Sequence, residues 1–147
     1  MTPNAAIQAV RCVYAELAQR PLPRACTGLA ECCRFRLTGR TPYLTRGEAL
    51  VAAAAWRAAG RSAVARTQDG RCPLLGANGR CQIYEGRPFG CRTHFCALAG
   101  GPYARGEVRD LIRQLETIDG HLGGSGAVNL STALEHAMPV AARRNNR

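Results

Sequence analysis

Lysine is absent. All twenty basic residues of the 147-residue chain are Arg, against ten Asp and Glu, so the net charge is +10. A field of that sign attracts phosphates or acidic proteins. Yet the Arg residues are spread along the whole length, and no block of five or six like charges forms a dedicated nucleic-acid arm. Arg-rich, Lys-free usage beside abundant Ala and Gly is also what G- and C-rich codons produce, and that is the preferred reading. Large apolar bodies are scarce too: three Phe, one Trp and four Tyr. Much of the 46% hydrophobic content is Ala. Such a chain is long enough for one ordinary domain, with an adequate but thin core that a cross-link would help.

Other absences narrow the function. The longest apolar run, Ala49 to Trp56, is far too short to span a bilayer. The opening residues lack a basic start followed by an apolar stretch, so no secretory signal is indicated and a cytoplasmic location is expected. No glycine-rich nucleotide fingerprint or P-loop occurs. No Ser/His/Asp set and no paired carboxylates stand out. Of the three His, His121 and His136 fall near expected helix ends, where a solvated or capping role is the better reading. No helix carries a row of Arg on one face beside stacking aromatics, which disfavours nucleic acid as a partner.

What the chain does have is cysteine. Seven of its eight lie between positions 26 and 96: Cys26, Cys32 and Cys33, then Cys72, Cys81, Cys91 and Cys96 after 38 intervening residues. In a reducing compartment such spacing points to metal or catalysis rather than to disulfides. Thiolates are strong ligands for zinc and for iron–sulfur clusters, and four complete a tetrahedral site or hold one cubane. Seven candidates, with His94 beside them, exceed one mononuclear site. Either two centres exist, or one uses four thiols and the rest are structural. The adjacent pair Cys32 and Cys33 rarely chelates one ion together. Arg34, Arg71, Arg80 and Arg92 flank cysteines, and cationic neighbours favour thiolates. Cys12 stands apart, inside a helix, and is read as a buried or half-buried apolar residue.

The expected fold is mainly α: a small helical domain over residues 1–140 with an irregular cysteine-rich metal-binding insert over about 24–100, and a flexible basic tail over 141–147. Ile7, Val10, Tyr14 and Leu17 have helical spacing over about 4–19, and Pro21 and Pro23 end that segment. Thr45 and Glu48 have the spacing of a capping box, opening a helix through the Ala-rich stretch that Gly60 closes. Leu44 is placed to pack on Ala49 or Leu50. Residues 61–101 read as loop with one small hairpin across Ala77-Asn78-Gly79. A third helix spans about 102–121, its apolar face made by Val108, Leu111, Ile112, Leu115, Ile118 and Leu122. Gly123, Gly124 and Gly126 read as a flexible hinge, and a short helix covers about 131–138.

The order Cys32-Cys33, Thr45-x-x-Glu48-Ala49, Cys72-Pro73-Leu74-Leu75, then Cys81-x-Ile83-Tyr84-x-x-Arg87-Pro88-x-x-Cys91-Arg92 resembles the YkgJ-type cysteine-cluster proteins. These are described as carrying a zinc- or iron-chelating C-x2-C-x2-C-C domain. The resemblance covers about residues 24–96 and is most specific in the C-x-I-Y-x-x-R-P-x-x-C-R string. By matched position it implies Cys26, Cys32, Cys33, Cys72, Cys81 and Cys91 as ligands of a zinc ion or iron–sulfur cluster. Cys96 joins them on proximity alone. Leu29 stands where the motif has its second cysteine, so Cys96 or His94 compensates, or the centre holds fewer metal atoms. Within the string, Ile83 and Tyr84 are expected to pack as a lid, Pro88 to set a turn, and Arg87 to bond carbonyls or the negative charge of the site.

Three functions follow in order of preference. The first is a metal-binding module, zinc or iron–sulfur, acting through structure, redox or a protein partner as yet unidentified. The second is an iron–sulfur enzyme akin to the flagellin lysine N-methylases that the resemblance also brings in, disfavoured because no methyl-donor pocket is legible. The third is a nucleic-acid-binding zinc protein.

Overall fold

The computed structural model describes residues 1–20, 42–64, 72–76, 81–93 and 104–138. Within them the protein is mostly helical, with one very small sheet. Helix α1 spans Pro3–Gln19. Thr2 caps it, its Oγ1 accepting from Ala5 N–H at 3.2 Å, and Pro3 sits where its missing N–H costs nothing. Arg20 ends it in an extended conformation (φ −72°, ψ 135°), as expected of a residue that precedes proline. The expected stripe is inward: Val10, Tyr14 and Leu17 are buried. Cys12, by contrast, is exposed. This corrects the reading of it as an apolar residue in or near the core, because Cys12 falls on the outer side of the helix from Val10, Val13 and Tyr14.

Helix α2, Arg46–Ala58, begins after Thr45. Glu48 Oε2 accepts from Thr45 N–H and from the Thr45 hydroxyl, both at 2.9 Å. The other end closes at Gly60, whose φ is +83°. Gly60 N–H bonds Arg57 O at 2.9 Å and Arg61 N–H bonds Trp56 O at 3.1 Å, the paired bonds of a Schellman motif. Helix α3, Phe89–Thr93, lies in the stretch read as loop. Its five residues make too little helix to show a periodicity. Helix α4 is Arg105–His121 and helix α5 is Leu130–Ala137. Among the described residues no helix is long and apolar enough to cross a membrane.

The sheet pairs β1, Tyr43–Leu44, with β2, Val128–Asn129, in antiparallel register: Tyr43 opposite Asn129 and Leu44 opposite Val128. Two-residue strands leave no alternation to read in a sequence. The pairing ties the start of α2 to the start of α5.

The expected glycine hinge is instead an ordered turn built on Asp119. This carboxylate is 2% exposed. It accepts from Arg46 N–H at 2.8 Å and from Gly126 N–H at 3.0 Å, while Gly124 N–H bonds Asp119 O at 2.8 Å. A Cβ on Gly124 would come within 2.4 Å of that carboxylate. Gly124 leaves the room Asp119 needs, Gly123 and Gly126 supply the positive φ of the turn, and Asp119 in turn takes an N–H in the first turn of α2.

Helix α2 is the central wall, with an apolar cluster on each side. On one, Ala49, Ala52, Ala53 and Trp56 meet Leu130 and Leu134 of α5. Leu44 belongs to this cluster with Ala49, as its place before the cap suggested. On the other, Val51 meets Val10 and Leu17 of α1 and Leu111 and Leu115 of α4.

Candidate metal centre

The described segments that carry Cys72, Cys81 and Cys91 lie beside α2. Cys72 is buried in the α5-side cluster with Leu74, Leu75 and Ile83. Its carbonyl accepts from Leu75 N–H at 3.1 Å. Leu75 then forms an antiparallel bridge with Cys81, and Gln82 N–H bonds Leu74 O at 3.0 Å. These flanks of the expected hairpin are paired; residues 77–79 lie outside the described residues.

From there the chain runs antiparallel to α2. Gln82 Oε1 accepts from Arg61, just beyond the C-terminal end of α2, at 3.1 Å. Gly86, within the short 3-10 turn Tyr84–Gly86, packs so closely that a Cβ there would stand 2.7 Å from Ala55 Cβ. Phe89 N–H reaches Glu48, in the first turn of α2, at 2.7 Å. Cys81 and Cys91, both half-buried, bracket this run.

The string between them is held by its own side chains. Ile83 is buried, and Tyr84 is 45% exposed. Its ring carries the Arg87 guanidinium 3.8 Å from the centroid, and Arg87 Nε bonds Tyr84 O at 2.8 Å. Pro88 O accepts from Cys91 N–H at 3.0 Å and Arg92 N–H at 3.1 Å, so the turn expected of Pro88 is the start of α3. Arg92 folds back: its Nε bonds Arg87 O at 2.7 Å, its guanidinium also donates to Glu85 O, and it lies 4.0 Å above the Tyr14 ring. Both arginines thus serve carbonyls and rings, the cation–π contact drawing α1 toward α3.

Glu48 is the hub. Besides the two Thr45 donors, its Oε1 takes Phe89 N–H and faces the Tyr14 hydroxyl at 3.5 Å. Burial pushes its pKa up, against the pull of the Thr45 and Phe89 N–H groups and the two hydroxyls. Tyr14 is driven well above the ordinary phenol, first by burial and then by the Glu48 charge, with Arg92 opposing. A buried carboxylate surrounded by donors is a satisfied one. Sequence reading took Glu48 only as a local cap; its bond to Phe89, 41 residues away, leaves no mark in a spacing pattern.

Of the seven candidate ligands, the described residues include Cys72, Cys81 and Cys91. Cys26, Cys32, Cys33, Cys96 and His94 lie outside them. Among the described residues, no three Cys, His, Asp or Glu side chains come together as a metal-holding group. The donor chemistry fits a zinc or iron centre: sulfur on a backbone already shaped by hydrogen bonds. A separate cavity of about 650 Å³, bordered by Leu44, Arg46, Leu50, Leu122, Val128 and Ala133, contains none of the described cysteines.

Compared with known families, residues 25–112 match the sequence model of CxxCxxCC, whose description reads "Putative zinc- or iron-chelating domain". The chain belongs to this family. The CxxCxxCC match takes in all seven clustered cysteines, α2, α3 and the first half of α4. Helix α1, which brings Tyr14 to Glu48, precedes it. No curated protein and no solved structure matches the chain. Membership makes this a cysteine-cluster module of the zinc- or iron-chelating class.

Proposed function

We propose that the chain is a metal-binding module, one domain over residues 1–140, that takes zinc or an iron–sulfur cluster on thiolates drawn from Cys26, Cys32, Cys33, Cys72, Cys81, Cys91 and Cys96. The observation that carries this reading is the anchoring, against one helix, of both ends of the run from Cys81 to Cys91. The Leu75–Cys81 bridge and the buried Leu74 and Ile83 hold one end. The Glu48–Phe89 bond holds the other. Backbone order of that kind lowers the entropy cost of gathering ligands around an ion. The family match supplies the class of ligand. Bound metal would cross-link segments that apolar packing holds only in part, and an iron–sulfur cluster would add electron transfer.

The test is metal analysis of anaerobically purified protein. A brown protein with iron and labile sulfide favours the cluster, and a colourless one with stoichiometric zinc favours the ion. Neither metal in the purified protein, together with no uptake on reconstitution, rejects the proposal. Cys81→Ser and Cys91→Ser are each expected to lower metal content. Unchanged content in both removes those two from the ligand set.

A further inference from the structure

We propose that Glu48 is the positioning residue of the metal site, its carboxylate fixing the helix that presents Cys91. This rests on Cys91 being a ligand, as proposed above. A capping role alone would use one carboxylate oxygen, and Oε2 fills it with the two Thr45 donors. Oε1 is turned to a different part of the chain. Phe89 is the first residue of α3, and its N–H is one that no intrahelical bond satisfies. Cys91 follows two residues later. Five residues do not hold a helix in water by themselves, so the order of α3 is imported. Glu48 supplies it at the start, Pro88 O closes the turn through Cys91 N–H, and the Arg92–Tyr14 stack secures the far side.

Among the described residues, four donors converge on Glu48 and no acceptor does. Glu48→Gln keeps the volume but turns an amide N–H2 against either Phe89 N–H or Thr45 N–H. It is therefore the discriminating variant.

Zinc affinity of the full chain is measured by competition with a chromophoric chelator, under anaerobic reducing conditions, for the wild type, E48Q, C91S and the double variant. Loss of a residue that orients a ligand weakens metal binding by about 10- to 100-fold. E48Q is expected to fall in that range. Added to C91S it should weaken binding no further, since both act through one thiol. Amide exchange of the metal-free protein should quicken in E48Q at Phe89, Cys91 and Arg92 while α4 and α5 keep their protection. If C91S weakens zinc binding but E48Q does not, or if the two losses multiply, Glu48 has no positioning role and the metal site stands. Exchange that quickens equally throughout also overturns the role, since it marks a general loss of stability. If C91S binds zinc like the wild type, Cys91 leaves the ligand set and this inference goes with it. Should E48Q fail to fold, E48D takes its place. It keeps the charge and is one methylene too short to serve Thr45 and Phe89 together, and the same affinity and exchange outcomes decide.

Discussion

The helices and the cysteine-bearing run beside them are held by different forces. On α1, α2, α4 and α5 the buried positions recur at helical spacing, and side chains such as Val10, Leu111 and Leu134 are fully enclosed. Among the described residues from Cys72 to Thr93 the large buried ones are few: Leu74, Leu75, Ile83 and Phe89 with Pro88. The stretch from Tyr84 to Phe89 is further secured by polar contacts to its backbone, from Arg87, Arg92 and Glu48. Apolar burial is non-directional and scales with area, whereas a carbonyl held by one guanidinium is lost when one residue changes. On the proposed reading, the helical part is expected to persist without metal and the cysteine-bearing part to respond to it.

That contrast can be broken most forcefully from the helical side. Leu111→Ala or Leu134→Ala, each at a site of 0% exposure, should cost about 2–5 kcal/mol. The loss should be equal with and without chelator in thermal melts. A loss seen only in the metal-bound protein would erase the distinction. Cys81→Ser probes the other side. A ligand at 100 times its Kd stabilises a folded protein by about 2.7 kcal/mol. The variant should forfeit most of the metal-dependent rise in Tm while its metal-free stability stays within about 1 kcal/mol of wild type. Gly86→Ala tests the contact between the two regions. Its Cβ would press on Ala55 Cβ at 2.7 Å, so overpacking should cost about 1–3 kcal/mol, read as a lower urea midpoint. Arg20→Ala should have the smallest effect. Arg20 bonds both Asp110 oxygens across the exposed junction of α1 and α4, and that hydrogen bonding holds the Asp110 carboxyl below its ordinary value. The folded pKa is below the unfolded one. The contribution of the pair is therefore present above the ordinary carboxylate range, near pH 3.9, and fades as pH falls through the depressed value. The Tm gap between wild type and R20A should narrow over that acid window. A gap that widened there would contradict the pairing.

Apart from the five-residue α3, the described helices were legible in advance because each is written in local terms. Ile7, Val10, Tyr14 and Leu17 marked α1, Thr45 and Gly60 bounded α2 within a residue, and the Val108-to-Leu122 face marked α4. The C-x-I-Y-x-x-R-P-x-x-C-R string was legible as a motif, and the family match bears out the class it implied. Its mechanics were not. Arg92 reaches Tyr14, and Arg87 stacks on the Tyr84 ring. Asp119 was invisible for the same reason as the outer half of Glu48. A lone acid in a helical pattern reads as surface until the backbone N–H groups that need it, here those of Arg46 and Gly126, are brought alongside.

From its residues alone, then, this protein is a basic, helix-forming chain with seven clustered thiols of a metal-chelating family. Periodicity, caps and cysteine order are properties of neighbours along the chain, and they survive in a string of letters. Only the tertiary structure decided that one helix would divide the apolar core, that two carboxylates would turn inward at its first turn, and that one of them would grip the start of the Cys91 helix. Those choices depend on which unsatisfied backbone N–H groups folding buries together, and burial is decided by the whole chain at once.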